Sequence, residues 1–364
     1  MSHRLLYLCD WLPPDFGAVG QYSLLFARQR AGAGEDVVLA GLSSSADSEE
    51  TLEAGAGRLR VVRVRRPLYD RGDFRRRAWW TLGTNLALLW RVRRELRWAE
   101  EVLFTGAPPF LVHFLVPLSL LLGKRLTYRI TDFHPECLIA ELGRAPWWLR
   151  AFQRLTLALR RRVDRFEVLG EDQRRRLLEM GIPGARIELK RDPAPVAVDS
   201  DVEPLPIPAE LQDRAVLLYS GNFGVAHDHE TFVAGYRMHH RSGPGTVGLW
   251  LNATGAKADL VEELLRREGL PVHRSRPVPL ERLGALLAAA DAHLITLRDE
   301  FVGYVLPSKV HACVASLRPI LYVGSERSDI HLLCSSGPAA AGYRRVAVGD
   351  AEGVAAALAE IGAE

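Results

Sequence analysis

Cysteine, lysine and long apolar runs are all scarce in this sequence of 364 residues. The four cysteines are far apart and form no CxxC pair, so we expect reduced thiols in a cytoplasm and no metal site. The longest apolar candidate, residues 110–122, contains His113 and is too short to span a bilayer. The N-terminus has no small-residue cleavage site, so no signal peptide is expected.

Charge is unevenly distributed along the chain. The net charge is +3, but residues 1–192 carry 32 Arg and Lys against 23 Asp and Glu, whereas residues 193–364 carry 15 against 21. A basic first half beside an acidic second half indicates two separate modules. The basic half favours an anionic partner such as a membrane surface or nucleic acid.

The pattern of apolar residues predicts alternating strands and helices in both halves. A chain of this length is about twice a typical domain, so two domains are expected, at 1–195 and 196–364, with a linker over the Pro- and acid-rich residues 192–213. Strand–helix–strand alternation is typical of parallel α/β sheets. We therefore predict two Rossmann-like doubly wound domains facing across a cleft, with ligands beyond the carboxyl ends of the strands. In the first half a long helical stretch is expected from about residue 74 to residue 99.

The stretch "YSGNFGVAHD" (219–228) ends an apolar strand in a glycine-rich loop that leads to a helix. Glycine has no Cβ, so a phosphate can approach the main chain closely there, and a helix N-terminus adds positive potential. The alternative is a simple tight turn between strand and helix. The loop is not a GxGxxG fingerprint, and no acidic residue stands where a ribose-binding Asp is expected.

A second loop of this kind, "LPPDFGAVG" (12–20), follows the first strand and contains Gly17 and Gly20. The two prolines alone indicate only a rigid turn. Taken together, two glycine-bearing strand-to-helix loops, one in each domain, predict that both contact the same anionic ligand.

A third feature is "GYVLPSKVHACVASLRPILYVG" (303–324), in which Pro307 and Ser308 begin a predicted helix and Lys309 lies in its first turn. Acidic residues suit a first turn better than lysine, so an anion near the helix start explains Lys309. The alternative is a solvated surface lysine. Only four lysines occur among the 47 basic residues, which favours a specific role for this one.

Three polar residues follow the predicted strand in "RLTYRITDFHPE" (125–136): Asp132, His134 and Glu136. Asp132 and His134 are placed to orient or deprotonate a hydroxyl, whereas Pro135 and Glu136 are expected to fix the loop. The alternative is that all three only shape the loop.

Five segments in order resemble glycosyltransferase family 4, in a bacterial subgroup that builds cell-surface polysaccharides. They cover about residues 5–325: "PPDFGAVGQYSLLFARQRAGAGEDVVLAG", "YRITDFHPECLIAELG", "DRFEVLGEDQRRRLLEMGIPGARIEL", "LLYSGNFGVAHDHETFV" and "PSKVHACVASLRPILYVG". The second is similar to the DLWPE-like element of the subgroup, and the last to its PSK element.

The resemblance implies a GT-B fold and a retaining hexosyltransferase with a nucleotide-diphosphate sugar, UDP- or GDP-linked, as donor and with no metal or other cofactor. Asp132, His134 and Lys309 would be the catalytic residues, and in a retaining transfer the leaving phosphate itself can be the base. The first domain would bind the acceptor and the second the donor. The implied donor-binding residues are Gly17, Gly20, Gly221, Asn222, Phe223, Gly224, Arg276, Gly303, Tyr304, Val305, Pro307 and Ser308.

Two positions depart from the family pattern. The family's ribose-binding Glu corresponds by spacing to Ala312, and the first Glu of its E-x7-E pattern corresponds to Tyr304. These departures favour one alternative, a non-catalytic or altered GT-B nucleotide-sugar-binding protein. A second alternative is a GT-B sugar-nucleotide epimerase or phosphorylase, although the carboxylate and histidine clusters or the cofactor lysine usual in such enzymes are not found in the sequence.

The acceptor is inferred from residues 71–98, which combine eight arginines with four tryptophans. Tryptophan beside arginine suits a membrane interface, so we expect a lipid-linked or cell-surface glycan precursor as acceptor and a peripheral position on the inner face of the membrane. The alternative is a core helix with a solvated basic face. No nucleic-acid-binding motif accompanies the arginines, so nucleic acid is not an expected partner. The oligomeric state is left open.

Overall fold

The computed structural model describes residues 2–15, 17–67, 74–196 and 202–363. The chain divides into two units, Met1–Arg191 and Asp192–Glu364. Each unit contains one largely parallel sheet with helices in the crossover connections. Arg71, part of the basic segment, and residues 197–201 of the expected linker lie outside the described residues.

The sheet of the first unit has the order β3-β4-β2-β1-β5-β6-β7-β8. Its neighbours are parallel except for β3, which pairs antiparallel with β4 at the edge. The strand β3 was not predicted from the sequence, because its residues, "SEETLEA", are mostly polar and largely exposed. The strands are β1 Arg4–Trp11, β2 Asp36–Ser43, β3 Ser48–Ala54, β4 Gly57–Arg65, β5 Glu101–Thr105, β6 Arg125–Ile130, β7 Arg165–Val168 and β8 Ile187–Leu189.

The helices of this unit connect successive strands. The long helical stretch expected over about 74–99 is present from Phe74 to Trp98, and it is divided at Val92 into α2 and α3. The helices are α1 Ala18–Gly32, α2 Phe74–Arg91, α3 Arg93–Trp98, α4 Val112–Leu122, α5 Glu136–Leu142, α6 Trp147–Arg160 and α7 Glu171–Glu179.

The sheet of the second unit is parallel throughout, in the order β11-β10-β9-β12-β13-β14. Its strands are β9 Ala215–Asn222, β10 Val247–Thr254, β11 Val272–Ser275, β12 Ala292–Thr296, β13 Ile320–Val323 and β14 Tyr343–Val346. Its helices are α8 Glu230–Arg241, α9 Ala256–Arg267, α10 Leu283–Ala288, α11 Lys309–Ala315, α12 Asp329–Cys334 and α13 Ala351–Ile361.

The apolar run at the start of β9 fills both faces of this sheet. Leu217 and Tyr219 belong to one buried cluster, and Val216 and Leu218 belong to another. Successive side chains of a strand point to opposite faces, so a strand covered on both sides must be apolar at every position. This explains why the run has no polar alternation.

The expected linker is packed rather than extended. Leu205 and Ile207 pack against the apolar cluster that contains Leu211, and the Leu205 N–H donates to the Ala285 carbonyl oxygen at 3.0 Å. This proline-rich segment therefore belongs to the second unit, in which Pro supplies turns without needing a ladder hydrogen bond.

Strand order reverses once in each sheet. In the first unit the chain runs outward from β1 through β2 and returns to β5, so the switch point lies between β1 and β5. In the second unit it lies between β9 and β12. In open α/β sheets, ligands bind beyond the carboxyl ends of the strands at such points. These two edges are therefore where a functional site is expected.

Candidate functional site

At the switch point of the second unit, β9 continues further than predicted, through Asn222. Gly221 has a φ of 110°, a left-handed conformation that favours glycine. A Cβ added there would lie 3.8 Å from Lys309 Cε, so the strand end and this lysine are in contact. The structure thus brings together two residues that are 88 positions apart in the sequence.

The Lys309 amino group is buried at this edge. Its Nζ lies 3.1 Å from the centroid of the Tyr219 ring and has no hydrogen-bond partner among the described residues. Burial holds the pKa of Lys309 well below its usual value. Because a buried ammonium without an anion is costly, this position suits a negatively charged ligand.

His227 lies beside this lysine and was not among the predicted site residues. Its Nδ1 is 2.7 Å from the Thr296 carbonyl oxygen, so Nδ1 carries the hydrogen and Nε2 is an acceptor. Burial, with a smaller effect of the Lys309 charge, lowers the pKa of His227 to about 3. The imidazole is therefore neutral and adds no second positive charge. Its place at the end of the quoted loop was the only signal in the sequence.

The loop after β9 contains unpaired main-chain donors. The N–H groups of Gly224 and Val225 donate to no acceptor among the residues that the structure describes. Phe223 is different: its ring is buried and stacks on Tyr219 with centroids 4.2 Å apart, and its N–H donates to the Thr254 carbonyl oxygen at 2.7 Å. The ring of Phe223 therefore fills the core and its amide completes the turn, and donor binding by this residue stays a prediction.

Residues 303–308 form the loop that directly precedes Lys309 and α11. Gly303 has a φ of 77°, and the N–H groups of Tyr304 and Val305 both donate to the Phe301 carbonyl oxygen. Pro307 is buried, and Ser308 precedes α11 without a side-chain capping bond. These residues fix the position of Lys309; direct contact between them and a donor stays a prediction.

Arg276 is held at the same edge by Asn252, which is buried at the end of β10. The Asn252 amide donates to the Arg276 carbonyl oxygen at 2.6 Å and to Ser275 Oγ at 2.8 Å. Its Oδ1 accepts from the Val278 N–H at 3.3 Å. The Arg276 side chain is exposed on this fixed loop, so it is available to a ligand.

Ala312 lies in the apolar core of the second unit. It is buried in one cluster with Leu286 and Leu287. A carboxylate is therefore absent from the position where the resembling family has its ribose-binding Glu. Within the described residues, no group of three or more His, Cys, Asp or Glu side chains is placed to hold a metal ion.

The switch point of the first unit contains two aspartates. Asp10 lies near the end of β1, where the pairing with β2 is irregular between Leu8 and Trp11, and Asp132 follows β6. A Cβ at Gly106, which follows β5, would lie 2.7 Å from the Asp132 carbonyl oxygen, so a side chain has no room there. Asp10 was missed in the sequence analysis, although an acid at the carboxyl end of the first strand is a usable signal.

Both carboxyl groups bind protons more tightly than usual. Burial raises the pKa of Asp132 to about 6. Burial also raises the pKa of Asp10 to about 7, with a further contribution from the Asp132 charge. Two coupled carboxylates that titrate near neutral pH can accept hydrogen bonds from hydroxyl groups or take up a proton.

His134 lies on the loop after Asp132, where its ring contacts Phe110 with centroids 5.9 Å apart. The buried Arg160 guanidinium holds this loop. It donates to both Glu136 carboxylate oxygens, at 2.7 and 2.9 Å, and to the His134 carbonyl oxygen at 2.8 Å. The ion pair accounts for Glu136 as a residue that fixes the loop.

Gly17 and Gly20 lie in the first unit, at the start of α1. A Cβ at Gly20 would come within 1.8 Å of the Trp11 carbonyl oxygen, so the packing of α1 on β1 alone requires this glycine. Gly17 has extended backbone, and a Cβ there would make only ordinary contacts. That either glycine contacts a donor stays a prediction.

No family model matches the chain, and no curated protein sequence matches it. Solved structures do. Sucrose-phosphate synthase from Thermosynechococcus elongatus is 13% identical with a TM-score of 0.67, over 99% of this chain and 90% of that chain. HepE from Anabaena, in complex with UDP and glucose, is 11% identical with a TM-score of 0.64, over 98% and 89%. WaaG, a glycosyltransferase involved in lipopolysaccharide biosynthesis, is 15% identical with a TM-score of 0.60, over 99% and 90%.

These structures confirm the predicted fold class. The chain has the α/β fold with two parallel-sheet domains that GT-B glycosyltransferases share. At identities this low the similarity concerns the fold, and membership of family 4 stays a prediction.

Proposed function

We propose that this protein is a glycosyltransferase that moves a hexosyl group from a nucleotide-diphosphate sugar to a hydroxyl acceptor. The observation that carries the proposal is the buried Lys309 ammonium, which has no hydrogen-bond partner among the described residues and lies at a topological switch point. A diphosphate is the ligand that compensates such a charge. The complex of HepE with UDP and glucose, in a protein of similar fold, supports the same assignment.

The second unit would bind the donor. Lys309 and the N–H groups of Gly224 and Val225 would hold the diphosphate, and Asn222 and Arg276 would contact the rest of the nucleotide. When the bond between the anomeric carbon and the phosphate oxygen breaks, negative charge develops on the phosphate. Fixed donors in a site with little water stabilise that charge, each by about 3 kcal/mol.

The first unit would bind the acceptor. Asp132 and Asp10 would accept hydrogen bonds from its hydroxyl groups, with His134 beside them. We propose a retaining transfer, in which the acceptor oxygen bonds the anomeric carbon on the face that the phosphate leaves. The hydroxyl proton then passes to the leaving phosphate oxygen, so no separate base is consumed.

The acceptor proposed is a lipid-linked or cell-surface glycan precursor. The exposed stripe of α2 supports it: Trp79 is 73% and Trp90 67% exposed, while Thr81, Thr84 and Asn85 of the same helix are buried. An apolar stripe beside arginines suits the interface of an anionic bilayer. No helix among the described residues is both long and apolar enough to cross a membrane. The proposed location is therefore the inner membrane surface, contacted from the cytoplasm.

The alternative function is nucleotide-sugar binding without transfer, or epimerisation. Two positions favour this alternative. The core residue Ala312 provides no carboxylate, and Tyr304 stands where the family has the first Glu of its E-x7-E pattern. A protein of this kind would bind the donor but release no free diphosphate in the presence of an acceptor.

A panel of UDP- and GDP-sugars tests the proposal. The stabilising ligand is first identified by thermal shift, since a nucleotide at about 100 times its Kd adds about 2.7 kcal/mol to the free energy of unfolding. The selected donor is then incubated with lipid-linked and soluble glycans, and free diphosphate is measured. Acceptor-dependent release supports transfer, and NMR of the product gives the anomeric configuration. Binding without release for every acceptor would support the alternative.

A further inference from the structure

A cavity of about 700 Å³ lies in the first unit, away from the carboxyl edge of its sheet. Its floor is formed at the amino-terminal ends of β2 and β4, where Asp36 is in register with Arg58 and Val38 with Arg60. Its wall is the short helix α3, which contributes Arg94, Glu95 and Trp98. The volume is within the range of about 300–1,000 Å³ that is usual for small-molecule sites.

The sequence of β4 explains why this cavity is polar. Leu59 and Val61 pack in the apolar cluster under α1, so Arg58 and Arg60 point to the opposite face of the sheet. On that face, α3 covers the arginines with a carboxylate and an indole rather than with aliphatic side chains. This face of the sheet is therefore covered by a helix but has charged side chains at positions where apolar core residues are usual.

Glu95 supplies the observation that points to a ligand. It is 7% exposed, and its Oε1 accepts from Arg60 at 2.6 Å. Its Oε2 is buried and has no hydrogen-bond partner among the described residues. A buried carboxylate oxygen without a partner is costly, and a ligand hydroxyl in the cavity would satisfy it.

The other groups define the rest of the ligand. Arg58 and Arg94 are exposed at the cavity and form no ion pair with any residue that the structure describes, so two cations are available to an anionic substituent. Trp98 is half-buried and lines the wall of the cavity, where it supplies an aromatic ring. Hydroxyl groups, one negative charge and an apolar ring face occur together in an acidic sugar.

We propose that this cavity binds a hexose carrying one carboxylate or one phosphate. Glu95 accepts from its hydroxyl groups, Arg58 and Arg94 pair with its charge, and Trp98 stacks on the sugar ring. The site is separate from the edge that carries Asp10 and Asp132, because its floor lies at the opposite ends of the strands. It requires no transferase activity, so it does not rest on the proposed function.

Isothermal titration of the full-length protein tests this site with four probes: glucuronate, glucose 6-phosphate, glucose and inorganic phosphate. At least one of the two charged hexoses should bind, and glucose and phosphate alone should each bind at least about tenfold more weakly. Tighter binding of glucuronate identifies a uronic acid as the natural ligand, and tighter binding of glucose 6-phosphate identifies a sugar phosphate.

Variants assign the binding to the cavity. Arg58→Ala and Arg94→Ala change exposed side chains, so both should fold normally and weaken binding at least about tenfold. Trp98→Leu should weaken the charged hexose but not phosphate alone. Two variants are controls. Arg97→Ala removes an exposed arginine of the same helix that does not line the cavity, and Lys309→Met removes the proposed anion site of the second unit. Neither should change the affinity for the charged hexose.

Three results would overturn the proposal. In the first, neither charged hexose binds. In the second, Arg58→Ala and Arg94→Ala both bind the charged hexose as tightly as the parent protein. In the third, inorganic phosphate binds as tightly as glucose 6-phosphate. The unfolding midpoint of each variant shows that a loss of binding is not a loss of fold. Because donor binding is measured separately with nucleotides, failure here leaves the proposed function unaffected, and the reverse also holds.

Discussion

The two units each reverse their strand order once, between β1 and β5 in the first and between β9 and β12 in the second. At the first switch point the ionisable groups are the carboxylates Asp10 and Asp132, whose pKa values are raised by burial. At the second they are the Lys309 ammonium, whose pKa is lowered by burial, and the neutral His227. At both switch points, burial disfavours the charged form of an ionisable side chain.

Under the proposed function, one topology would serve two kinds of ligand. The strand order would fix where a ligand binds, and two or three side chains would decide which charge it must have. An ammonium beside unpaired main-chain amides suits a phosphate, whereas two neighbouring carboxylates suit hydroxyl groups. The predictions below separate these two roles, beginning with the largest expected effect.

Lys309→Met should lower turnover about 100-fold, because the charge that stabilises the leaving phosphate is lost. The methionine keeps the length of the side chain, and removal of a desolvated charge should leave the melting temperature unchanged or higher. Steady-state kinetics and thermal unfolding check both statements. Arg266→Met, which removes an exposed charge in the same unit, is the matched control. Normal turnover in Lys309→Met would exclude a role in the leaving-group step.

Asp132→Asn should lower turnover at least about tenfold, since an amide oxygen accepts a hydrogen bond from the hydroxyl group of the sugar acceptor less strongly than a carboxylate does. It should also stabilise the fold by about 2 kcal/mol at pH 8, because the raised pKa means that ionisation is unfavourable in the folded state. That gain should vanish below the ordinary Asp pKa, where the carboxyl is protonated in both states. Denaturant unfolding at both pH values measures it, and a loss of stability at pH 8 would contradict the environment described for Asp132.

The pH profile should have one limb from each unit. The rate should rise as Asp132 and Asp10 ionise, with pKa values of about 6 and about 7, and donor binding should weaken at alkaline pH as Lys309 loses its proton. Asp10→Asn should move the acidic limb to lower pH by several tenths of a unit or more, because the coupled carboxylate is removed. Rates measured across the range decide it, and an unchanged acidic limb would show that Asp10 is not part of the site.

The smallest effect is expected on the exposed face of α2. Replacing both Trp79 and Trp90 with alanine should reduce binding to anionic liposomes about threefold or more at low salt, with turnover on a soluble acceptor unchanged. Co-sedimentation measures the bound fraction, and Leu332→Ala, at an exposed leucine of the second unit, is the control. Equal binding by the double variant and the parent protein would remove α2 from the membrane proposal.

Much of the fold follows from the sequence alone. The apolar run Val216–Tyr219 fills both faces of a sheet, and such runs alternating with helical patterns predicted two parallel α/β domains. The edge strand β3 could not be predicted, because its polar residues form a strand only by pairing with β4. The break of the expected helix at Val92 was also invisible, since Val92 and Leu96 keep the apolar period on both sides of it.

The site was less predictable than the fold. Lys309 stood out because lysine is rare here, but its burial on Tyr219 depends on a contact between β9 and the start of α11, which are far apart in the sequence. Phe223 is among the donor-binding residues that the family resemblance implies, and the stacking of its ring on Tyr219 in the core is not visible in the loop sequence. Asp10 at the end of the first strand and His227 at the end of the quoted loop each gave a weak signal in the sequence. The residues that perturb their pKa values, Asp132 for the first and Lys309 for the second, are far away along the chain.

Calorimetric titration of UDP, or of GDP if the panel selects it, against the parent protein and Lys309→Met at neutral pH tests the central claim most directly. The account predicts that the variant binds the diphosphate at least about tenfold more weakly and that the affinity for the unphosphorylated nucleoside is unaffected. Equal affinity of the two proteins for the diphosphate would contradict it.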